Sequence, residues 1–253
     1  AQGKFKSFCA TRKACDCGKC PFDYFVDIRY FNFATKTAQM QILARFSRPA
    51  GSNLSGEGSG HKGGIKMEPI CIVPAGDICG EAATWDASAN SLYWSDINRF
   101  LLHVYDADSR STRTHLFDEP VVAISLTDHP DLLLVALGSQ LILFNPASGA
   151  RQSLPAKLSS WLDIRFNDGR SDPLSAFWIG TMGNNVGPNG EVLPVTEGRG
   201  VLYRYRNGHA LEVIETGIGI PNTLCWSPDS RRFYFGDSLK NEIRVYDYDP
   251  QSG

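Results

Sequence analysis

The chain has no run of eighteen apolar residues and no apolar stretch near its start, where AQGKFKSFCATRK is polar and basic. A membrane-spanning helix needs the first and a secretory signal needs the second, so the expectation is a soluble, cytoplasmic protein without a membrane partner. Charge of one sign is lacking as well: 25 Lys and Arg stand against 27 Asp and Glu. That balance gives no electrostatic footing for a nucleic-acid surface, and the local excess of five basic residues over one Asp in positions 1–20 is too small to supply it. The five histidines show no ligand spacing, and no G-x-S-x-G or phosphate-loop pattern is present, which sets aside a serine nucleophile and a nucleotide cradle. Seven cysteines, an odd number without a signal, argue against a secreted disulfide framework.

What the chain does have is punctuation and repetition. GSNLSGEGSGHKGG, residues 51–64, holds six glycines and three serines, too little apolar surface to order itself, and reads as a linker over 51–66. It divides an N-terminal segment, 1–50, from a region beginning at Met67. Cys9, Cys15, Cys17 and Cys20 fall in the first segment as C-x5-C-x-C-x2-C. Four thiolates can close a tetrahedral zinc shell, yet so few residues leave little chain to wrap the ion, so zinc binding, a nucleic-acid-binding knuckle and an unrelated extension all stand open there. FDYFVDIRYFNF and TAQMQILARF have the makings of two strands. Cys71, Cys79 and Cys225 sit in apolar contexts where a thiol behaves as a small hydrophobe.

From Met67 onward, apolar runs of four to eight residues are bounded by Asp, Asn, Gly, Ser and Pro, without helical period: an all-β pattern. Glu81 to Asp108 lies over Asn222 to Asp249 without a gap, an offset of 222 − 81 = 141, with seven identities that include Trp85/Trp226, Tyr93/Tyr234 and Asp96/Asp237. The triplet Val104, Tyr105, Asp106 matches Val245, Tyr246, Asp247. The offset divides into three units of about 47 residues, the size of a four-stranded propeller blade. Two degenerate copies lie between, around DLLLVALGSQLILFNPASG and around SAFWIGTM with GVLYRYRNG, the latter split by an insertion from Gly183 to Arg199. About four blades result; the alternative is an ordinary β-sandwich with accidental internal similarity.

In a propeller the innermost strands line one channel, so a repeat position recurs around a common axis. Glu81 and Asn222 share such a position and bring a carboxylate and an amide oxygen, donors suited to Ca²⁺ or Mg²⁺, with Zn²⁺ or Mn²⁺ as further candidates. The Trp94 to Trp178 offset carries Glu81 onto Arg165, so RFNDG should face the channel too. Arg165, Asn167 and Asp168 would then offer a cation, an amide and a carboxylate to a polyhydroxylated ligand; Asn-Asp-Gly is equally a turn signal. Asp96 and Asp237, recurring just after an apolar strand, read as a hairpin device.

GEAATW around Glu81, RFNDGRSDPLSAFWIGTM from Arg165 and GIPNTLCWSPD around Asn222 resemble, in order and spacing, three signature regions of the gluconolactonase, regucalcin and luciferin-regenerating family. The resemblance runs from about Cys79 to Gly253 and implies the six-bladed gluconolactonase type of β-propeller, here incomplete, with a small Cys-containing N-terminal extension. It implies hydrolysis of a sugar lactone with one divalent cation, Glu81 and Asn222 as metal ligands, and Arg165 and Asn167 as substrate contacts. The family's third ligand and general base, an Asp, is expected in a blade after the one ending at Gly253, and Thr223 stands where the family usually has Gly. A non-catalytic propeller scaffold is the alternative, and four blades of six-blade curvature would expose apolar faces and self-associate.

Overall fold

The structure, a computed structural model, describes strands at 7–8, 23–31 and 39–47 and the continuous stretches 71–195 and 198–253. The chain divides into two compact units, 1–76 and 77–253. In the first, β1 (Ser7–Phe8), β2 (Asp23–Phe31) and β3 (Gln39–Ser47) form a sheet in that order, with β2 and β3 antiparallel from Asp23 opposite Ser47 to Phe31 opposite Gln39. The two strands expected there are these. The proposed linker and the four clustered cysteines lie outside the described residues.

The second unit is a run of antiparallel meanders, each one blade. Blade 1 is β4 (Gly80–Asp86), β5 (Ser91–Asp96), β6 (Leu101–Asp106) and β7 (Ser111–Leu116). Blade 2 is β8 (Val121–Leu126), β9 (Leu133–Leu137), β10 (Gln140–Phe144) and β11 (Arg151–Lys157). Blade 3 is β12 (Ile164–Ser171), β13 (Phe177–Gly183), β14 (Gly200–Tyr205) and β15 (Glu212–Ile218). Blade 4 has three strands, β16 (Pro221–Trp226), β17 (Arg232–Asp237) and β18 (Glu242–Asp247). No helix occurs among the described residues, and none is long and apolar enough to cross a membrane. The all-β propeller expected from the repeat is what the chain forms, and the expected insertion is the long connection from β13 to β14.

Burial explains why these strands stack face to face. The second strands β5, β9 and β13 are buried throughout, whereas β7 is almost wholly exposed. Three apolar seams join the four blades. Tyr93, Leu102 and Val104 pack on Val121, Ile124 and Val135; Ala123, Leu134 and Leu141 on Phe166, Phe177 and Ile179; Trp178 and Leu202 on Leu224, Trp226 and Phe233. Burying one such side chain contributes about 1.5 to 3 kcal/mol.

The repeat also dictates a hydrogen-bond cage. Asp96 accepts the backbone N–H groups of Ile78 (3.0 Å), Cys79 (3.2 Å) and Asn98 (3.2 Å), and Arg99 Nε at 2.5 Å. Asp237, 141 residues on, accepts those of Gly219 (2.8 Å), Ile220 (3.0 Å), Leu239 (3.1 Å) and Lys240 (3.4 Å). Each carboxylate thus ties the entry of an inner strand to the hairpin after the second strand, the hairpin device expected of this pair. Burial pushes the Asp237 carboxyl up, but the four N–H donors outweigh it and hold the group below its usual range. A depressed folded pKa gives stability that is complete above the unfolded value of about 3.9 and is lost as pH falls through the folded one. Asp237→Asn is expected to lower unfolding free energy by about 2 to 3 kcal/mol at pH 7, in urea titrations, with the difference shrinking below about pH 4.

Blade 4 presents a face that blade 1 buries. Leu102 is 0% and Val104 3% exposed beneath blade 2, while their counterparts Ile243 and Val245 are 63% and 57% exposed. A protein of these 253 residues is expected to associate through this face. Sedimentation should show oligomers that Ile243→Lys with Val245→Lys returns to monomer; a monomeric parent protein contradicts this.

Candidate functional site

The inner strand of every blade carries a β-bulge. The register slips between Glu81 and Thr84 in β4, Val121 and Ala123 in β8, Phe166 and Gly169 in β12, and Asn222 and Leu224 in β16. A bulge re-aims the side chains beside it, and in blades 1 and 4 it opens at the repeat position shared by Glu81 and Asn222. Glu81 and Asn222 both open a bulge, and the residue after each, Ala82 at φ 57° and Thr223 at φ 75°, is left-handed. Blade 2 has Val121 there, 0% exposed and without a donor. In blade 3 the position belongs to Phe166, one residue beyond the Arg165 that the tryptophan offset indicates, because the two tryptophans do not share a register position: Trp94 stands one residue before Ser95, the partner of Glu81, and Trp178 three residues before Thr181, the partner of Phe166.

Arg165 is buried, 3% exposed, and its guanidinium organises the neighbourhood. Nη1 donates to Phe166 O (2.8 Å) and Asn167 Oδ1 (2.7 Å); Nε and Nη2 both donate to Asn185 Oδ1, at 3.1 and 2.7 Å. Burial pulls this guanidinium down to about 10, opposed by the nearby Cys79 and Glu81, and burial with the Glu81 charge pushes the Cys79 thiol up to about 12. Glu81 from blade 1 therefore lies within electrostatic reach of Arg165 from blade 3. Asn167 continues the chain of contacts: its Nδ2 donates to Pro221 O at 2.8 Å and approaches Asn222 Oδ1 at 3.5 Å. Asn222 Nδ2 donates to Ser238 Oγ at 3.0 Å, which leaves Oδ1 as the end with lone pairs to spare. Close approach of the blades is built in, since a Cβ on Gly180 would fall 2.2 Å from Pro221 Cβ, just before Asn222.

Arg165, Asn167 and Asn222 are thus linked from one inner strand to the next, with Glu81 of a third inner strand within electrostatic reach of Arg165. Asp168, beside Asn167, contacts backbone of the next blade. Its Oδ2 accepts the Thr223 backbone N–H at 2.8 Å, and burial pushes its carboxyl up, against the opposing effects of Arg170 and two backbone N–H groups. Asn185 is the residue that sequence reasoning missed. It lies in the connection between β13 and β14, which has no counterpart in the other blades and so no repeat position to flag it. The same connection is tied to blade 1 by Asn98 Nδ2, which donates to Gly190 O at 2.7 Å.

Two oxygen donors from two blades, a carboxylate and an amide, fit a hard divalent cation and not a thiolate site. Among the described residues no three His, Cys, Asp or Glu side chains are grouped so as to hold a metal ion. The fold is a β-propeller whose inner strands bring Arg165, Asn167 and Asn222 into contact. The profile of the SMP-30/Gluconolactonase/LRE-like region matches residues 79–253, and the chain belongs to that family. Regucalcin of Pongo abelii is 29% identical over 189 residues, 75% of this chain and 61% of the relative. L-arabinolactonase of Azospirillum brasilense is 36% identical over 172 residues, 68% of this chain and 55% of the relative. The crystal structure of regucalcin from Agrobacterium tumefaciens, described as a calcium-binding protein, superposes with a TM-score of 0.62 at 29% identity, covering 72% of this chain and 57% of that one. The chain thus spans about three-fifths of the length of the curated relatives it matches.

Asn185→Ala removes the acceptor of Arg165 Nε and Nη2 and leaves a buried cation short of partners. The expected result is a loss of about 1 to 3 kcal/mol in urea unfolding. Asn185→Asp, which restores an acceptor and adds charge, should recover it.

Proposed function

We propose that residues 77–253 form part of a divalent-cation-dependent sugar lactonase, with Glu81 and Asn222 as two of the cation's ligands and Arg165 and Asn167 beside them as the wall that orients a hydroxylated substrate. The observation that carries this is the cross-blade network: a carboxylate on β4 within the field of a buried guanidinium on β12, which fixes an amide that reaches the amide on β16. The named relatives support the reaction class, one being an L-arabinolactonase. A bound divalent cation would supply Lewis acidity at a lactone carbonyl. The chain's own residues do the rest of what is proposed. Arg165, locked by Asn185 and the Phe166 carbonyl, holds Asn167 in one orientation, so the amide acts as a fixed dipole at the channel wall. Burial of Arg165 among few charges strengthens its field at the Glu81 carboxylate.

Calcium, magnesium, manganese and zinc are the cations this donor set suits; their order of preference is for titration to decide. Isothermal titration of the 253-residue protein should show one divalent-cation site, weakened at least tenfold by Glu81→Gln. In the protein extended to the length of its relatives, the same substitution should abolish aldonolactone opening. Cation binding without lactone opening at full length assigns the channel to a binding scaffold instead. Binding that ignores Glu81→Gln removes the proposed site.

A further inference from the structure

The bulge after Glu81 and the bulge after Asn222 are held in different ways. In blade 1 the Thr84 hydroxyl donates to Ala82 O (3.1 Å) and to Ile124 O on blade 2 (3.0 Å), latching the left-handed residue to the neighbouring inner strand. The repeat places Cys225 where blade 1 has Thr84, and a thiol is a much weaker donor than a hydroxyl. Blade 4 also has the harder conformation to hold. Thr223 is β-branched, and φ 75° is a region such residues rarely enter, so surrounding contacts must impose it. One contact reaches across from blade 3: Asp168 Oδ2 accepts the Thr223 N–H at 2.8 Å.

We infer that Asp168 is a positioning residue for the channel site: its carboxylate holds the strained Thr223 bulge and thereby sets the direction in which Asn222 presents Oδ1. This rests on the proposed cation site, since Asn222 is read there as a ligand. Asp168 touches neither cation nor substrate in this role. Asn167 and Asp168, adjacent in β12, divide the work between them, the first approaching the Asn222 side chain and the second gripping the backbone just after it. The inference also explains how this chain tolerates Thr at 223. A glycine there would adopt the left-handed conformation without strain and would need no such clamp.

The test is a double-variant cycle on the 253-residue protein, with calcium chloride and manganese chloride as titrants and amide hydrogen exchange at position 223 as a second readout. Asp168→Asn should weaken cation binding about tenfold and speed exchange of the Thr223 amide, while circular dichroism stays that of a folded propeller. In the Thr223→Gly background the same substitution should cost twofold or less, because the strain it restrains is gone. Should Asp168→Asn fail to fold, the comparison of Thr223→Gly with the unstrained double variant still reads the affinity. Equal losses in both backgrounds, or an unchanged Thr223 exchange rate, overturn the inference. A parent protein that binds neither cation, or binds undiminished with Glu81→Gln, overturns the cation site itself; the exchange rate then still reports whether Asp168 holds the bulge.

Discussion

The site depends on an interruption. An unbroken inner strand would alternate its side chains between the two faces of the blade, into the seams with its neighbours, and leave nothing directed at the axis. The bulges that open at Glu81 and Asn222 break that alternation, and left-handed backbone at Ala82 and Thr223 completes the turn. Without them the two oxygens would compete for space in seams filled by Tyr93, Leu102, Trp226 and Phe233. With them, Asn222 comes to Asn167 and Glu81 into the field of Arg165 while the seams stay apolar.

Holding such interruptions in place requires polar contacts between blades, and those contacts link fold to site. Thr84 reaches Ile124 O, Asn167 reaches Pro221 O, and Asp168 reaches Thr223 N, each from one inner strand to the next. Asp96 and Asp237 do the complementary job within a blade, fastening the start of the inner strand to the hairpin at its far side. Arg165 is where the two systems meet. It is buried, and its partners come from its own strand and from the β13–β14 connection, so its charge is placed and not free to wander.

Much of this was legible in the sequence because a repeat makes its own alignment. The gapless match of 81–108 with 222–249 identifies the blade, pairs Glu81 with Asn222, and marks Asp96 and Asp237 as structural partners of their hairpins; the backbone donors at Ile78, Cys79 and Asn98 recur by the same offset at Gly219, Ile220 and Leu239, while Arg99 gives its side chain where Lys240 gives its backbone N–H. Legibility ends where repetition does. Asn185 sits in an insertion, so nothing in the other blades points to it. The register of blade 3 cannot be carried over from its tryptophan, because Trp178 and Trp94 stand at different distances from the residue that pairs with the start of the bulge, and composition does not mark that difference. Asp168 reads as a carboxylate beside Asn167, and its bond to the Thr223 backbone N–H lies within a bulge that no sequence period marks.

The central claim is that Glu81 and Asn222, 141 residues apart, grip one cation together. Anomalous scattering from crystals grown with manganese tests it most directly. A single peak within coordination distance of both the Glu81 carboxylate and Asn222 Oδ1 is the predicted result. A peak that touches one of them without the other, or lies outside the channel, contradicts it.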